Sequence, residues 1–258
     1  MCSLKEMFWG EEEIDLIADF KVLAEFLQGH NEGASSNTEE DIQEQERRLG
    51  KPLPAALREY YKRFGRSQYI TQHCNNQYEP MLLEHIFVPD SDFFTTDKAF
   101  LIFYQCEESV IYCGIRFSDL TKEDPPVYLC AWNHPDWSLE NESLTNFLVS
   151  KAFIQMGLED RLPYWVIFDE NMWGLSDYRS YWGLSDGAYE IPEMSSLQAW
   201  RIFCRDNVIL LFELAVGENE DDVLAVYLAS FDRERIASLL NRTTQDRQLP
   251  DYRTNLGS

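Results

Sequence analysis

Carboxylates are the most abundant side chains in this sequence that could carry out chemistry. Two acidic groups lie near predicted strands and helices: Asp119, Glu123 and Asp124, and then Asp136, Glu140 and Glu142. A pair of carboxyl groups can serve as general acid and general base. Because the chain contains 45 Asp and Glu residues, however, chance adjacency explains these pairs. The sequence predicts a solvated acidic surface here, and we expect these six residues to contact a partner.

Histidines and cysteines provide no recognisable catalytic or metal site. The four histidines form no HxxxH or HExxH pattern, and the six cysteines form no CxxC pair, so zinc-type spacing is absent. Cys113 precedes Gly114 in a predicted buried strand, which is unlike a nucleophile turn. Scattered cysteines are typical of reduced core thiols. We therefore predict no catalytic residue, metal or cofactor, and expect that the protein is not an enzyme.

The net charge restricts the classes of partner. The chain has 22 Lys and Arg against 45 Asp and Glu, a net charge of −23. Such a field repels nucleic acid and anionic membranes and attracts basic proteins, although acidity also serves solubility alone. No window approaches about 18 apolar residues, and the start lacks a secretory signal. We expect a cytoplasmic protein that binds neither nucleic acid nor membrane; the sequence leaves its oligomeric state open.

Basic residues are concentrated in one short segment. They are Arg47, Arg48, Lys51, Arg58, Lys62, Arg63 and Arg66. The cluster could contact an acidic partner or nucleic acid. We favour the interpretation that it forms salt links with surrounding carboxylates.

The sequence of segment 38–65 predicts two helices, which carry most of these basic residues. Thr38 and Asp41 have capping spacing, and Gly50 is placed to end the first helix. Prolines then keep the connector extended before an aromatic second helix. The residues assigned a structural role, with Gly65 as the second cap, are Leu49, Gly50, Leu53, Pro54, Leu57, Tyr61, Phe64 and Gly65.

Apolar patterns predict the remaining elements. We expect helices at 4–28, 144–156 and 232–241, and strands at 81–88, 100–106, 111–117, 127–132, 164–168, 208–216 and 223–229. Strict alternation would put Cys106 and Cys113 on one face of neighbouring strands as reduced thiols.

The five-residue sequence WGLSD occurs twice, at 173–177 and 182–186. We interpret this repeat as a loop with two similar turns; an exposed aromatic recognition loop is the alternative.

The order of these pieces resembles the SUKH superfamily of bacterial toxin-immunity proteins and a regulator of yeast cell-wall synthesis. An acidic capped helix, Leu-Gly, Leu-Pro, an aromatic helix and Gly are followed by a central hairpin (AFLIFYQCEESVIYCGIRF), DPPVYL and NESLTNFLVSKAF. The resemblance implies an α+β fold with N-terminal helices on a largely antiparallel sheet, to which this chain adds a strand-rich C-terminal unit. We assign 1–37 to an N-terminal helix and linker, 38–158 to the SUKH-like domain and 159–258 to an α+β extension.

The resemblance also implies a function. SUKH-type immunity proteins bind a cognate toxin domain, possibly a nuclease, and neutralise it without catalysis. The alternative is a regulatory interaction scaffold of the cell-wall-regulator type. A third possibility is a small-ligand or peptide enzyme within residues 159–258.

Overall fold

The computed structural model describes residues 17–30, 36–71, 78–106, 110–158, 161–168, 174–182, 184, 188–191, 199–215, 223–241 and 252–256. Within these residues the chain has an α+β fold, as predicted, in which helices pack with two antiparallel sheets. The helices are α1 (Ile17–Phe26), α2 (Glu39–Leu49), α3 (Ala55–Phe64), α4 (Leu144–Gly157), α5 (Leu175–Trp182) and α6 (Arg233–Leu240). The part of the predicted N-terminal helix before residue 17 lies outside the described residues.

The first sheet has five strands in sequence order, so each strand pairs with its neighbour along the chain. Its strands are β1 (Tyr78–Pro80), β2 (Phe100–Cys106), β3 (Ile111–Arg116), β4 (Val127–Ala131) and β5 (His134–Asn141). The second sheet has the order β11-β6-β10-β9-β8-β7. Its strands are β6 (Tyr164–Phe168), β7 (Tyr189–Ile191), β8 (Ala199–Arg205), β9 (Val208–Leu214), β10 (Val223–Ser230) and β11 (Arg253–Thr254).

The two helices predicted from segment 38–65 form α2 and α3. Thr38 caps α2 through a reciprocal capping box with Asp41, and Gly50 ends it in the left-handed conformation (φ 63°). Four of the residues assigned a structural role are buried: Leu53, Leu57, Tyr61 and Phe64. Gly65 ends α3 with an ordinary right-handed φ of −60°, so its role as a cap does not depend on a left-handed backbone.

The strand predicted at 81–88 is wrong. This segment contains a short 3-10 turn at Leu83–His85 and meets β2 at an isolated bridge between Phe87 and Ile102 and through the Met81 N–H, which donates to the Phe103 oxygen at 3.0 Å. Side chains of the helix pair bind its carbonyl groups instead: Gln45 donates to the Ile86 oxygen at 3.0 Å, and the Tyr61 hydroxyl donates to the Met81 oxygen at 2.8 Å. The segment therefore satisfies its backbone without a full sheet ladder.

A β-bulge interrupts the central hairpin and alters the predicted faces. Ile102 lies opposite Gly114, whereas Tyr104 lies opposite Cys113, so Phe103 is an extra residue in β2. Strict alternation along β2 is therefore broken at the bulge, so alternate residues before and after Phe103 do not share one face. Cys113 is a free thiol, and the side chain of Cys106 lies outside the described residues.

Helix α4 lies between the two sheets and joins their cores. It buries Phe147 and Phe153 in a core that includes residues of the first sheet together with Ile209 and Leu211 of β9. The alternate β9 residues, including Leu210 and Phe212, face a second core beneath α5 and α6. Both faces of β9 are thus covered, which explains its unbroken apolar sequence.

The first WGLSD copy begins a helix, so the interpretation of that copy as a loop turn is wrong. Helix α5 starts at Leu175, and the Asp177 carboxylate accepts a hydrogen bond from the Gly174 N–H at 3.3 Å. Trp182, which opens the second copy, is fully buried against Phe168, Tyr178 and Phe212. Most of the second copy lies outside the described residues.

Candidate protein-binding surfaces

The two acidic segments named from the sequence meet at one end of the first sheet. Asp124, in the β3–β4 loop, accepts a hydrogen bond from the Ser143 hydroxyl at 2.6 Å and from the Thr145 N–H at 2.8 Å. The Leu144 N–H donates to the Pro125 oxygen at 2.9 Å. These bonds tie the β3–β4 loop to the start of α4. We call this region the acidic edge, comprising Asp119, Glu123, Asp124, Glu140 and Glu142.

Three of these acidic side chains are occupied within the fold. Asp124 holds the start of α4, and Asp119, only 8% exposed, forms an ion pair with Lys122 at 2.8 Å. Glu140 is 6% exposed at the end of β5. Such burial means that these carboxylates shape the two segments and present little surface to another protein.

The remaining two acidic side chains of this edge project into solvent. Glu123 and Glu142 are exposed and lie directly beside the bonded residues Asp124 and Ser143. The Glu123 backbone oxygen accepts a hydrogen bond from the Ala56 N–H at 3.0 Å, which holds the loop against the start of α3. The acidic edge therefore presents two carboxylates from a backbone fixed at both sides.

Asp136 lies away from this edge. In the β4–β5 pairing Val127 is opposite Asn141 and Ala131 is opposite His134, so Asp136 lies toward the other end of β5. Its carboxylate accepts a hydrogen bond from the Thr96 hydroxyl at 3.3 Å. The structure thus brings five of the six predicted acidic residues to one end of the sheet and separates the sixth.

An aromatic patch, which the sequence reasoning missed, occupies the end of the sheet where Asp136 lies. It comprises Phe93, Phe94, Tyr112 and Trp132, with ring centroids 4.7 Å apart for Phe93–Phe94 and 5.5 Å apart for Phe94–Trp132. Tyr112 lies beneath, with its ring 5.0 Å from that of Phe93. Trp132, in the β4–β5 turn, is 69% exposed, more than any other large hydrophobic side chain in the described part of the chain. A tryptophan at a tight turn was the available sequence signal.

The basic cluster is largely consumed by internal ion pairs, as predicted. Arg58 contacts Glu39 and Glu46, and Lys62 contacts Glu39 at 2.7 Å. Arg47 and Arg63 pair with Glu44 and Glu59. Lys51 lies 4.5 Å above the Phe117 ring, so part of the cluster adjoins the β3–β4 loop rather than lying apart from it. These contacts favour a stabilising role.

Thiol chemistry is disfavoured at the described cysteines that show a pKa shift. Burial raises the pKa of Cys130 to about 12, and burial together with Asp206 raises the pKa of Cys204 to about 12. A thiol with so high a pKa carries little thiolate at neutral pH. In the part of the chain that the structure describes, no group of three or more His, Cys, Asp and Glu residues could hold a metal ion.

One GxSxG sequence, at 183–187, had also escaped the sequence reasoning. The catalytic form of this motif connects a strand to a following helix. Here it follows α5 and precedes β7, so it connects a helix to a strand, the reverse order. Leu184 is buried, and the other residues of the motif, including Ser185, lie outside the described residues.

The described helices include none that is both long and apolar enough to cross a membrane. Among curated proteins, none matches this chain.

A sequence model of the SMI1 / KNR4 family (SUKH-1) matches residues 36–150, which include the helix pair, the five-stranded sheet and the first half of α4. The resemblance noted from the sequence is thereby confirmed, and residues 36–150 of this chain form a domain of the SUKH superfamily.

Proposed function

We propose that this protein is a non-catalytic immunity protein, which binds a cognate bacterial toxin domain in the cytoplasm and neutralises it. The observation that carries the proposal is the acidic edge of a SUKH-superfamily domain, where Asp124 ties two acidic segments together and Glu123 and Glu142 project outward. An edge built in this way can contact a partner without a catalytic group.

The charge of the chain favours one kind of toxin as the proposed partner. A domain that attacks nucleic acid carries a basic surface, and an acidic inhibitor can occupy that surface in place of the substrate. The net charge of −23 would accelerate the encounter over long range, and the fixed carboxylates of the acidic edge would orient it. Association should therefore slow as salt shortens the Debye length.

The alternative is a regulatory scaffold of the cell-wall-regulator type, which binds several host proteins. The exposed aromatic patch at the other end of the sheet would serve this alternative if it bound a second protein while the acidic edge held the first. A catalytic activity in residues 159–258 would be a third role. The three roles differ in partner number and in the effect of the chain on a toxin.

The test is co-expression with the product of each neighbouring gene, chosen where that product has a secretion-linked N-terminus. We expect one product that arrests growth alone, forms a stable complex with this chain and loses its toxicity in that complex. Capture of several housekeeping proteins, with no effect on any neighbouring product, would support the scaffold instead. Failure of every neighbouring product to bind would reject the immunity role.

A matched pair of variants tests the acidic edge. Glu123→Gln with Glu142→Gln removes two exposed charges there, and Glu25→Gln with Glu234→Gln removes two exposed charges from α1 and α6. We expect the first pair to lower the association rate constant for the toxin several-fold at low salt, with a smaller loss at high salt. If both pairs lower the association rate constant equally, the effect comes from net charge alone. If the first pair does not lower it, the acidic edge is not the contact surface.

A further inference from the structure

We propose that the aromatic patch is a second contact surface and that Trp132 receives an arginine side chain from a basic segment of the partner protein. The inference rests on the proposed function for the identity of that partner. Its chemistry, however, comes from the patch itself. The surface lies at the end of the first sheet opposite the acidic edge, so a partner that reaches both would be held at two separated points.

The patch is arranged as a supported platform. The backbone N–H of Trp132 donates to the Val110 backbone oxygen at 2.8 Å, which fixes the turn. The Trp132 ring lies against the ring of Phe94. Phe94 in turn contacts Phe93 and Tyr112. The rings are tilted against one another rather than stacked, and their mutual packing supports the outermost ring from one side, so little conformational entropy is lost when a ligand binds.

The loop that carries Phe93 and Phe94 is held by several polar contacts. The Asp90 carboxylate accepts hydrogen bonds from the backbone N–H groups of Asp92 and Phe93, each at 3.0 Å. At the other end of the loop, the Trp137 indole N–H donates to the Asp97 oxygen at 3.0 Å. The aromatic rings therefore project from a braced loop, which makes the platform preformed rather than induced.

The charges beside the platform select a cation. Asp92 directly precedes Phe93, and Asp136 is bound by Thr96, two residues after Phe94; both carboxylates are exposed. Lys98 also lies beside these rings, with its ammonium group 5.9 Å from the centre of the Phe93 ring, and it already donates a hydrogen bond to the Phe93 backbone oxygen. An incoming cation would thus find an exposed indole ring at an end of the sheet that also carries two exposed carboxylates, Asp92 and Asp136.

Arginine fits this combination better than lysine. Its planar guanidinium can stack on the indole and still direct N–H groups toward a carboxylate, whereas an ammonium group offers only a point charge. Tryptophan and arginine are also among the residues that most often dominate protein interfaces. The same chain already places a guanidinium in this way: Arg116 lies 4.5 Å from the centre of the Tyr128 ring.

The experiment uses the full chain and two fluorescein-labelled peptides of equal charge, hexa-arginine and hexa-lysine, with affinity measured by fluorescence anisotropy. Nonspecific attraction to an acidic protein affects both peptides alike. We expect the parent protein to prefer hexa-arginine by about two- to fivefold, the range of an exposed cation–π contact. Trp132→Ala should abolish the preference, and Trp132→Phe should keep part of it.

Two control variants separate the patch from other effects. Tyr252→Ala removes another exposed aromatic ring, which belongs to the second sheet region, and should leave the preference unchanged. The double variant Glu123→Gln with Glu142→Gln should weaken the binding of both peptides equally. Because Trp132 is exposed, its variants should keep the parental far-ultraviolet spectrum and thermal midpoint. Absence of an arginine preference in the parent, or its persistence in Trp132→Ala, would overturn the inference.

The cognate complex then distinguishes the two proposals. If a toxin binds and Trp132→Ala leaves its dissociation rate unchanged, the patch is not part of that interface and this inference fails while the immunity role stands. If no toxin binds but the preference for hexa-arginine depends on Trp132, the immunity role fails and the patch stands as an arginine-binding surface for another protein.

Discussion

Asp124 and Ser143 lie nineteen positions apart in the sequence, and their side chains form a hydrogen bond of 2.6 Å. Ser143 also caps α4, because its hydroxyl accepts the Asn146 N–H at 3.1 Å. One hydroxyl thus joins the β3–β4 loop to the helix that packs between the two sheets. This bond, together with those from Thr145 and Leu144 to the same loop, therefore connects the acidic edge to the start of the central helix.

Replacing Asp124 should cost stability, because its carboxylate accepts three hydrogen bonds at the start of α4. We expect Asp124→Ala to lower the free energy of unfolding by about 1–3 kcal/mol, as for loss of a helix cap together with its buried partners. Urea unfolding provides the measurement. The adjacent exposed Glu123→Ala is the control and should change stability by less than about 0.5 kcal/mol. Equal effects from the two variants would contradict the assigned role.

Leu57 tests whether the helix pair is an integral part of the fold. Its side chain is completely buried within the main core, so Leu57→Ala should lower the free energy of unfolding by about 2–5 kcal/mol through lost burial and a residual cavity. Glu40→Ala, at an exposed position of α2, is the matched surface change. A thermal midpoint equal to that of the parent would show that the pair is peripheral.

The two helix-ending glycines should respond to substitution for different reasons. At Gly50, alanine meets open space but must adopt a φ of 63°, which costs about 1 kcal/mol. At Gly65, a new Cβ would lie 2.2 Å from the Asn37 side-chain oxygen and 2.7 Å from the Tyr61 backbone oxygen. Gly65→Ala should therefore destabilise more than Gly50→Ala in urea unfolding. The reverse order would show that Asn37 moves aside at little cost.

Glu39 should make the stability of the helix pair dependent on acid. Hydrogen bonds from Lys62 and Gln43, with the charge of Arg58, lower the pKa of Glu39 from 4.5 to about 2. A depressed pKa in the folded state stabilises the protein fully above the unfolded value and progressively less as pH falls through the folded value. Glu39→Gln should thus be less stable than the parent at pH 7, and the difference should shrink between pH 4.5 and pH 2.

The measurement is urea unfolding of the parent and Glu39→Gln at pH 7, 4.5 and 2.5. Glu40→Gln, an exposed neighbour in the same helical turn, is the control and should track the parent throughout. Carboxyl resonances of Glu39 should also titrate well below those of exposed glutamates. A stability difference that stays constant with pH would show that the ion pairs with Arg58 and Lys62 contribute nothing.

Local patterns were sufficient where neighbouring residues alone determine structure. The capping pair Thr38 and Asp41, the apolar stripe of α3 and the apolar run of β9 correspond to the observed elements within a few residues. Each of these signals depends on contacts within one or two turns, or on simple burial of apolar side chains. The family resemblance over residues 36–150 followed from the same signals taken in order.

Long-range contacts decided what those patterns left undetermined. The segment 81–88 is not a full strand because Gln45 and Tyr61, distant in sequence, take its carbonyl groups, and Phe103 bulges where β2 meets β3. Likewise, the composition showed many carboxylates, but it did not show which of them are engaged in hydrogen bonds or ion pairs within the fold. Asp124 became a structural acceptor only because Ser143 lies within hydrogen-bonding distance, whereas Trp132 became a candidate contact because the fold leaves its ring exposed. Residue types and local spacing determined the elements, and tertiary packing determined which polar and aromatic groups remain available to a partner.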